Sequence, residues 1–394
     1  MLLLLITFFI FMYFFLHSLG EIGDYRKNYV IAATVIMIFL SGLRHENVGN
    51  DTFVTMMKYE YYSEIPWRYI LEDFWIKYSN PNSDTGKDPG EEIFDKLISY
   101  VVPDSRGFLI AIAIFVITSI GIFINKHART LHSVMFTYIF YAMMFYPYIP
   151  NSAARQSLAL GIVLFAYTLL MKNKRIEFVI LLLLASTLHK SSLIAGIMLP
   201  LSYFNKVRLV YYGAIPAFLF MCLFYNEAAE ILGAANDIYE GYILNNYYET
   251  RGKTRPFMVI IMIAGLYLYN IIIMERDPNR ENNKYYYYGT ALTLVFTPLI
   301  LFDPSAIRLA AYFGLFLGMC IGNLSNITTI TRNGFIAIIA IFYLRVASQP
   351  DDGYRFMWQE KESERHKSKT SLLLPEMYKH RDLSPTLNWP TAGA

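Results

Sequence analysis

Several charged side chains stand at the ends of long apolar segments, where an ionisable group is costly unless it is paired or functional. Arg44 closes one such segment, and Arg155 and Gln156 open another, within NSAARQSLALGI. A guanidinium is always charged and offers a planar fork of donors that suits phosphate oxygens. These positions predict a site for a phosphate-bearing substrate at one membrane face. A snorkelling anchor at the lipid interface is the alternative for Arg155.

Two further candidates interrupt or open apolar segments. His189 lies in ASTLHKSSL, where its imidazole is expected to accept a proton or to donate a hydrogen bond to phosphate. The alternative is a polar turn that satisfies buried carbonyls. Arg308 lies in the first turn of a helix opened by Pro304, and Tyr312 follows one turn later on the same face. An arginine there opposes the helix dipole, so a bound anion or Asp303 is expected to compensate it.

The long loops supply the remaining candidates. Asp51 lies in the polar turn NVGNDT, and its carboxylate is interpreted either as catalytic or as the cap of a helix that begins at Thr52. The stretch DPGEEIFDKLISYVV, residues 88–102, predicts a second turn with an amphipathic helix that returns to the membrane. Arg255 ends another long loop and is a further candidate for binding anionic substrate.

Motifs that hold metals or nucleotides in other enzymes do not occur in the sequence. It contains no Gly-rich phosphate loop, no H-E-x-x-H and no C-x-x-C pair. Cys222 and Cys320 lie inside apolar segments and indicate neither a metal site nor a disulfide. The sequence therefore predicts no metal and no cofactor, and stabilisation of negative charge by arginines.

The elements that must position these residues are transmembrane helices. The chain is 55% hydrophobic and 16% aromatic, a balance typical of a polytopic membrane protein rather than a soluble one. Its net charge of +3 forms no basic stripe that would indicate nucleic acid. We predict an all-α protein with about 11–12 transmembrane segments, including one broken segment. The apolar segments cover residues 1–19, 28–43, 107–124, 132–149, 153–171, 178–204, 209–225, 257–274, 285–302, 307–324 and 334–347.

Charge predicts the sidedness of the loops. Loop 44–106 carries twelve acidic and seven basic residues, and loop 226–256 carries five and three. Since cytoplasmic connectors are rich in Lys and Arg, the two acidic loops are predicted to lie outside. We therefore predict a transmembrane domain over residues 1–347 with these two outer loops, followed by a polar tail over 348–394. The short basic connectors lie around residues 26–27, 126–129 and 172–175.

Segment 178–204 decides the rest of the topology. As one helix it would be about 40 Å long, which is more than a span needs. HKSS interrupts it at 189–192, so a hairpin of two short helices is the favoured interpretation over a single span. The hairpin returns Lys206 and Arg208 to the cytoplasmic side. It also gathers the candidate residues at the outer face.

The sequence contains, in this order, the stretches GLRHENVGNDTFVTMMKY, DPGEEIFDKL, NSAARQSLALGI, LASTLHKSSLI and IRLAAYF. Their order resembles the EpsG-like family of Wzy-type polysaccharide polymerases. The resemblance covers about residues 35–325. Asn50 departs from the family pattern where small or threonine residues are common, and Glu91 departs where an aromatic usually follows Pro-Gly.

The resemblance implies a GT-C-like glycosyltransferase of the bacterial inner membrane. Such enzymes join undecaprenyl-pyrophosphate-linked oligosaccharide units at the periplasmic face, for O-antigen, capsule or exopolysaccharide. The implied partners are the donor and acceptor lipid-linked oligosaccharides, membrane lipids and a chain-length regulator.

Roles follow from the matching positions of this family. The base is implied to be His189 or Asp51, and His189 is favoured. The residues implied to bind pyrophosphate or sugar are Arg44, Arg155, Gln156, Arg308, Tyr312 and Arg255.

Three other functions share these features. A flippase of lipid-linked sugars is disfavoured because the sequence shows no internal repeat. A membrane O-acyltransferase would also use a histidine and arginines, with an acyl donor reached from the cytoplasmic side. An O-antigen ligase is closest in chemistry and differs in its acceptor.

Overall fold

The computed structural model describes ten stretches of the chain, and these are helical apart from turns and one antiparallel bridge between Arg44 and Phe356. The predicted all-α polytopic membrane fold is confirmed. The described residues are 1–19, 25–49, 51–79, 88, 90–147, 149–150, 153–227, 254–302, 306–324 and 354–358. Most of loop 226–256, segment 334–347, Asp303 and Pro304 lie outside them.

The helices follow the predicted apolar segments closely. Their bounds are α1 Leu2–Ser18, α2 Tyr25–Gly42, α3 Thr52–Glu64, α4 Trp67–Ser79, α5 Gly90–Ser99, α6 Ser105–His127, α7 Leu131–Met144, α8 Ala154–Leu170, α9 Arg175–Leu188, α10 Met198–Tyr203, α11 Val207–Leu223, α12 Thr254–Arg276, α13 Lys284–Phe296 and α14 Ile307–Leu324. Two 3-10 helices, Lys190–Ile197 and Thr297–Leu301, continue α9 and α13.

Length and surface both suit a bilayer. Helix α6 and residues Phe257–Arg276 of α12 are each long and apolar enough to cross a membrane, and several shorter helices are apolar throughout. Large apolar side chains face outward, among them Ile31, Leu183 and Leu209. A lipid environment removes the cost that water would impose on such a surface.

Basic connectors meet at one end of the helix bundle, which we call the basic end. Two of the connectors predicted to be cytoplasmic, 26–27 and 126–129, bond to each other there, and further bonds place residues 283–284 and Ser202 at the same end. Three hydrogen bonds join them: Arg26 Nη1 to Ala128 O at 2.6 Å, Arg129 Nη2 to Asn283 Oδ1 at 2.9 Å and Lys284 Nζ to Ser202 O at 2.7 Å.

The predicted hairpin is present. The guanidinium of Arg175, at the start of α9, lies 3.9 Å from the ring centre of Tyr203, at the end of α10. Midway, Gly196 faces Leu182, and a Cβ at Gly196 would lie 3.1 Å from the Leu182 side chain. Both ends of the hairpin therefore lie at the basic end, and its tip at His189 lies at the other end, which we call the site end.

A seam of glycines fixes α14 against α7. A Cβ at Gly318 would lie 2.9 Å from Thr137 Cα, and one at Gly322 would lie 2.2 Å from Ser133 Cα. Small residues at this four-residue spacing let two helix backbones approach closely within a membrane. Since Asn323 bonds to Arg129 at the basic end, the start of α14 points to the site end.

A short C-terminal stretch also reaches the site end. His45 N donates to Arg355 O at 2.8 Å, and Met357 N donates to Leu43 O at 2.9 Å. Residues 354–358 of the predicted tail therefore lie beside the first outer loop.

Candidate functional site

Helix α5 docks on the hairpin tip. Its first residue, Gly90, lies against Thr187, and a Cβ there would come within 2.5 Å of Thr187 Oγ1 and 2.9 Å of the Thr187 carbonyl carbon. Asp88, just before α5, is buried and has a φ of 46°. Its Oδ1 accepts a hydrogen bond from Lys190 N at 3.0 Å. The outer loop is thus attached to the hairpin by close packing and by one carboxylate.

Arg155 is held by two carboxylates of the same loop. Its Nη1 lies 2.9 Å from Asp88 Oδ2, and its Nε lies 3.4 Å from Glu91 Oε1. The other oxygen of Glu91 lies 3.6 Å from Lys58 Nζ. Arg155 therefore connects α8 to α5, and much of its charge is already compensated. Sequence reasoning did not select Asp88 or Glu91 as site residues, although the acidic start of DPGEE and the departure at Glu91 were signals.

Among the described residues, Arg308 has less charge compensation than Arg155. Its Nη1 lies 4.0 Å from Asp51 Oδ2, which is the limit for an ion pair. Among the described residues, its buried Nε has no hydrogen-bond acceptor. Gln156 Nε2 donates to the Arg308 carbonyl oxygen at 3.0 Å, which holds the first turn of α14 against α8. A buried guanidinium nitrogen without an acceptor is costly and is suited to receive an anion.

Asp51 occupies the N-cap position of α3, as predicted, but its side chain caps nothing. Helix α3 begins at Thr52, and the Asp51 carboxylate accepts no hydrogen bond from its first turn. The side chain is 52% exposed and faces Arg308. The capping interpretation of Asp51 is therefore wrong, and its carboxylate is available at the surface of the site.

His189 begins a polar chain that leads to α14. Its Nδ1 lies 2.6 Å from Ser191 Oγ, and Ser191 Oγ lies 3.1 Å from the hydroxyl of Tyr312. The imidazole is buried, and two arginines and two carboxylates act on it in opposite directions: Arg155 and Arg308, and Asp88 and Glu91. Ser191 was not selected from the sequence, where HKSS indicated only a break.

Arg44 lies apart from this group. It is 3% exposed, and its guanidinium donates to the carbonyl and hydroxyl oxygens of Ser41 and, at 3.3 Å, to Thr52 Oγ1. It thereby holds the turn that presents Asp51. The side chain of Arg255 lies outside the described residues. Binding of pyrophosphate or sugar by Arg44 and by Arg255 therefore stays a prediction.

The face of α5 that carries Glu91, Glu92 and Asp95 is buried. Glu92 Oε1 accepts from the hydroxyl of Tyr62 at 2.6 Å, and burial, with Glu92 beside it, raises the pKa of that tyrosine. Burial also raises the pKa of Asp95 well above its usual value, and the charge of Glu91 adds to the effect. The helix that supports Arg155 therefore carries a buried carboxyl group, Asp95, whose charged form is disfavoured.

The site end combines hydrogen-bond donors with an exposed carboxylate. Arg308 and Arg155 can stabilise an anion, His189 can donate or accept a proton, and Asp51 can accept one. Within the described part of the chain, no three His, Cys, Asp or Glu side chains are arranged to hold a metal ion.

This fold defines a polytopic membrane protein that brings arginine, histidine and carboxylate side chains together at one end of its helices. A model of the EpsG family matches residues 27–351. Because the match covers most of the chain, the protein belongs to the EpsG family, and the resemblance seen in its motifs is confirmed. Membership indicates a membrane enzyme of the polysaccharide polymerase type. Comparison with curated proteins gave no match, and comparison with solved structures gave none.

Proposed function

We propose that this protein is an inner-membrane glycosyltransferase that polymerises undecaprenyl-pyrophosphate-linked oligosaccharide units at the periplasmic face. The observation that carries the proposal is the Arg308 Nε, which lacks an acceptor among the described residues and lies beside the exposed carboxylate of Asp51. A pyrophosphate would supply the acceptors that this nitrogen lacks.

Sidedness supports the periplasmic assignment. The basic end holds the Lys- and Arg-rich connectors, which are cytoplasmic under the positive-inside rule. The hairpin tip and the start of α14 lie at the opposite end, where the acidic first outer loop docks. A substrate that has been carried across the membrane on its lipid would meet the site there.

The transfer needs one nucleophile, one leaving group and one proton acceptor. A hydroxyl oxygen of the incoming unit attacks the anomeric carbon of the growing chain, and a C–O bond forms. The bond from that carbon to the pyrophosphate oxygen breaks, and its electron pair leaves with undecaprenyl pyrophosphate. The hydroxyl proton passes to His189 or Asp51.

Arginines stabilise the charge that builds on the leaving group. Arg308 is the principal donor because its charge is the less compensated, and Arg155 contributes from its position between Asp88 and Glu91. Arg44 acts by holding the turn that carries Asp51. The chemistry proposed in this way uses no metal.

Deletion of the gene tests the class of function. Gels of lipid-linked polysaccharide from the deletion strain should show a single repeat unit attached to the lipid acceptor. Loss of that attachment would indicate a ligase instead, and loss of units from the outer face would indicate a flippase.

A matched pair of arginine variants tests the site. Arg308→Gln should stop chain lengthening in the deletion strain, whereas Arg208→Gln should restore long polymer. Arg208 is 56% exposed at its side chain and pairs with Glu275 near the basic end, so it controls for the loss of one arginine. Long polymer from Arg308→Gln would contradict the proposal.

A further inference from the structure

The polar chain at the hairpin tip links three groups that differ in hydrogen-bond donor strength: a phenol, an alkyl hydroxyl and an imidazole. It runs from the Tyr312 phenol through the Ser191 hydroxyl to His189 Nδ1, with separations of 3.1 Å and 2.6 Å. A phenol is a stronger donor than an alkyl hydroxyl, and a neutral imidazole nitrogen is the strongest acceptor of the three. Hydrogen bonds in such a chain polarise one another, so the order from strongest donor to strongest acceptor is favoured.

That order decides which imidazole nitrogen carries the proton. If Tyr312 donates to Ser191 and Ser191 donates to Nδ1, the proton of a neutral His189 must be on Nε2. We propose that His189 acts as a neutral hydrogen-bond donor through Nε2–H, and that Ser191 is the positioning residue that sets this tautomer. The proposal rests on the proposed glycosyl transfer and divides the roles within it.

The burial of the imidazole agrees with a neutral donor. Burial disfavours the charged ring, and Arg155 and Arg308 act in the same direction, whereas the nearby carboxylates of Asp88 and Glu91 act in the opposite one. A neutral imidazole with its proton on Nε2 can still stabilise an oxyanion, because a fixed donor needs no net charge to do so.

The division of roles assigns the base to Asp51. The acceptor hydroxyl proton passes to the Asp51 carboxylate as the new C–O bond forms. The electron pair of the breaking bond leaves on the pyrophosphate oxygen, which accepts a hydrogen bond from His189 Nε2–H. The imidazole proton stays on Nε2 throughout, and Arg308 lies 4.0 Å from the carboxylate that becomes protonated.

The tautomer can be measured without substrate. Nitrogen-15 spectra of histidine-labelled full-length protein in lipid distinguish a protonated from an unprotonated ring nitrogen, and His189→Gln identifies the signal. We expect a neutral ring protonated at Nε2 in the native protein. Ser191→Ala should give a mixture of tautomers, and Ser191→Thr should restore the native signal because it keeps the hydroxyl.

A neighbouring serine gives the matched control. Ser192 follows Ser191 directly, is fully buried, and has no hydrogen-bond partner for its hydroxyl among the described residues. Ser192→Ala should therefore leave the His189 signal unchanged. A native His189 protonated at Nδ1, or a signal unaltered in Ser191→Ala, would overturn the proposal. If Ser191→Ala does not fold, Tyr312→Phe supplies the second variant and should weaken the same tautomer preference.

Polymer length separates this inference from the proposed function. A glutamine amide at position 189 keeps a donor near Nε2, so His189→Gln should retain short polymer in the deletion strain. Asp51→Asn removes the base and should slow lengthening by about 10²- to 10⁴-fold. If Asp51→Asn still lengthens the polymer and His189→Gln makes no polymer, the division of roles is wrong but the proposed function stands. Normal polymer from both variants would overturn the proposed function, while the spectra would still report the tautomer.

Discussion

The contact between Gly90 and Thr187 can be tested by adding one methyl group. In Gly90→Ala the new Cβ would lie 2.5 Å from Thr187 Oγ1, 2.8 Å from its Cβ and 2.9 Å from its carbonyl carbon. Ordinary carbon contacts begin near 3.5 Å, so α5 must move away from the hairpin by about 0.5–1 Å. Backbone atoms on the Thr187 side prevent relief by a rotamer change. Overpacking of this kind costs about 1–3 kcal/mol.

The displacement would disturb the site directly. Asp88 is two residues from Gly90 and bonds to both Arg155 and Lys190, at 2.9 Å and 3.0 Å. A shift of this size lengthens both bonds, and misplacement by about 1 Å can cost about 10²-fold in rate. We therefore expect Gly90→Ala to shorten the polymer severely in a deletion strain and to accelerate amide exchange in α5.

Two other helical glycines provide the control. Nothing lies within 4 Å of a Cβ built at Gly213 or Gly265, so alanine at either position should leave polymer length unchanged. Replacing glycine in a helix should also stabilise those helices by about 1 kcal/mol. Normal polymer and unaltered exchange in Gly90→Ala would refute the docking of α5 on the hairpin.

Three further outcomes follow from the structure. Gly322→Val should lower the free energy of unfolding of the detergent-solubilised protein by about 1–3 kcal/mol, because a Cβ there would lie 2.2 Å from Ser133 Cα. A free energy of unfolding equal to that of the native protein would contradict the glycine seam. Cysteines at positions 190 and 206 should react with impermeant reagents from opposite faces of the membrane, because the hairpin puts its tip and its exit at different ends; labelling from one face would contradict it. Burial raises the pKa of Asp95, so the unfolded chain loses this proton first and native stability falls as pH rises above the usual value of 3.8. The melting temperature of Asp95→Asn, measured against that of the native protein, should therefore rise as the pH is raised. A difference between the two melting temperatures that stays constant with pH would contradict a raised pKa of Asp95.

The hairpin shows how far local pattern could lead. A 27-residue apolar segment with HKSS in its middle is too long for one span, and the contact of Arg175 with Tyr203 has the geometry that this mismatch predicts. The family could likewise be predicted, because its motifs are short stretches whose order survives in the chain. The helix bounds lie close to the predicted apolar segments because hydrophobic length is also read locally along the chain.

The partners of the charges were not predictable in this way. Asp88 and Arg155 are 67 residues apart, and the left-handed backbone of Asp88 lies just before the helix that docks on the hairpin. The sequence placed Arg155 and Arg308 in equivalent positions at helix starts. Folding pairs one with two carboxylates and leaves a nitrogen of the other without an acceptor in the described residues.

The sequence alone determined the membrane class, the helical architecture, the family and a set of candidates gathered at one end. The class and architecture depend on hydrophobic length and on charge along the chain, and the family depends on short motifs, all of which are local properties. The tertiary structure decided that Arg155 supports the site, that Asp51 is exposed rather than a cap, and that Ser191 connects His189 to Tyr312. Those outcomes depend on distances between helices far apart in sequence, and helix packing alone sets such distances.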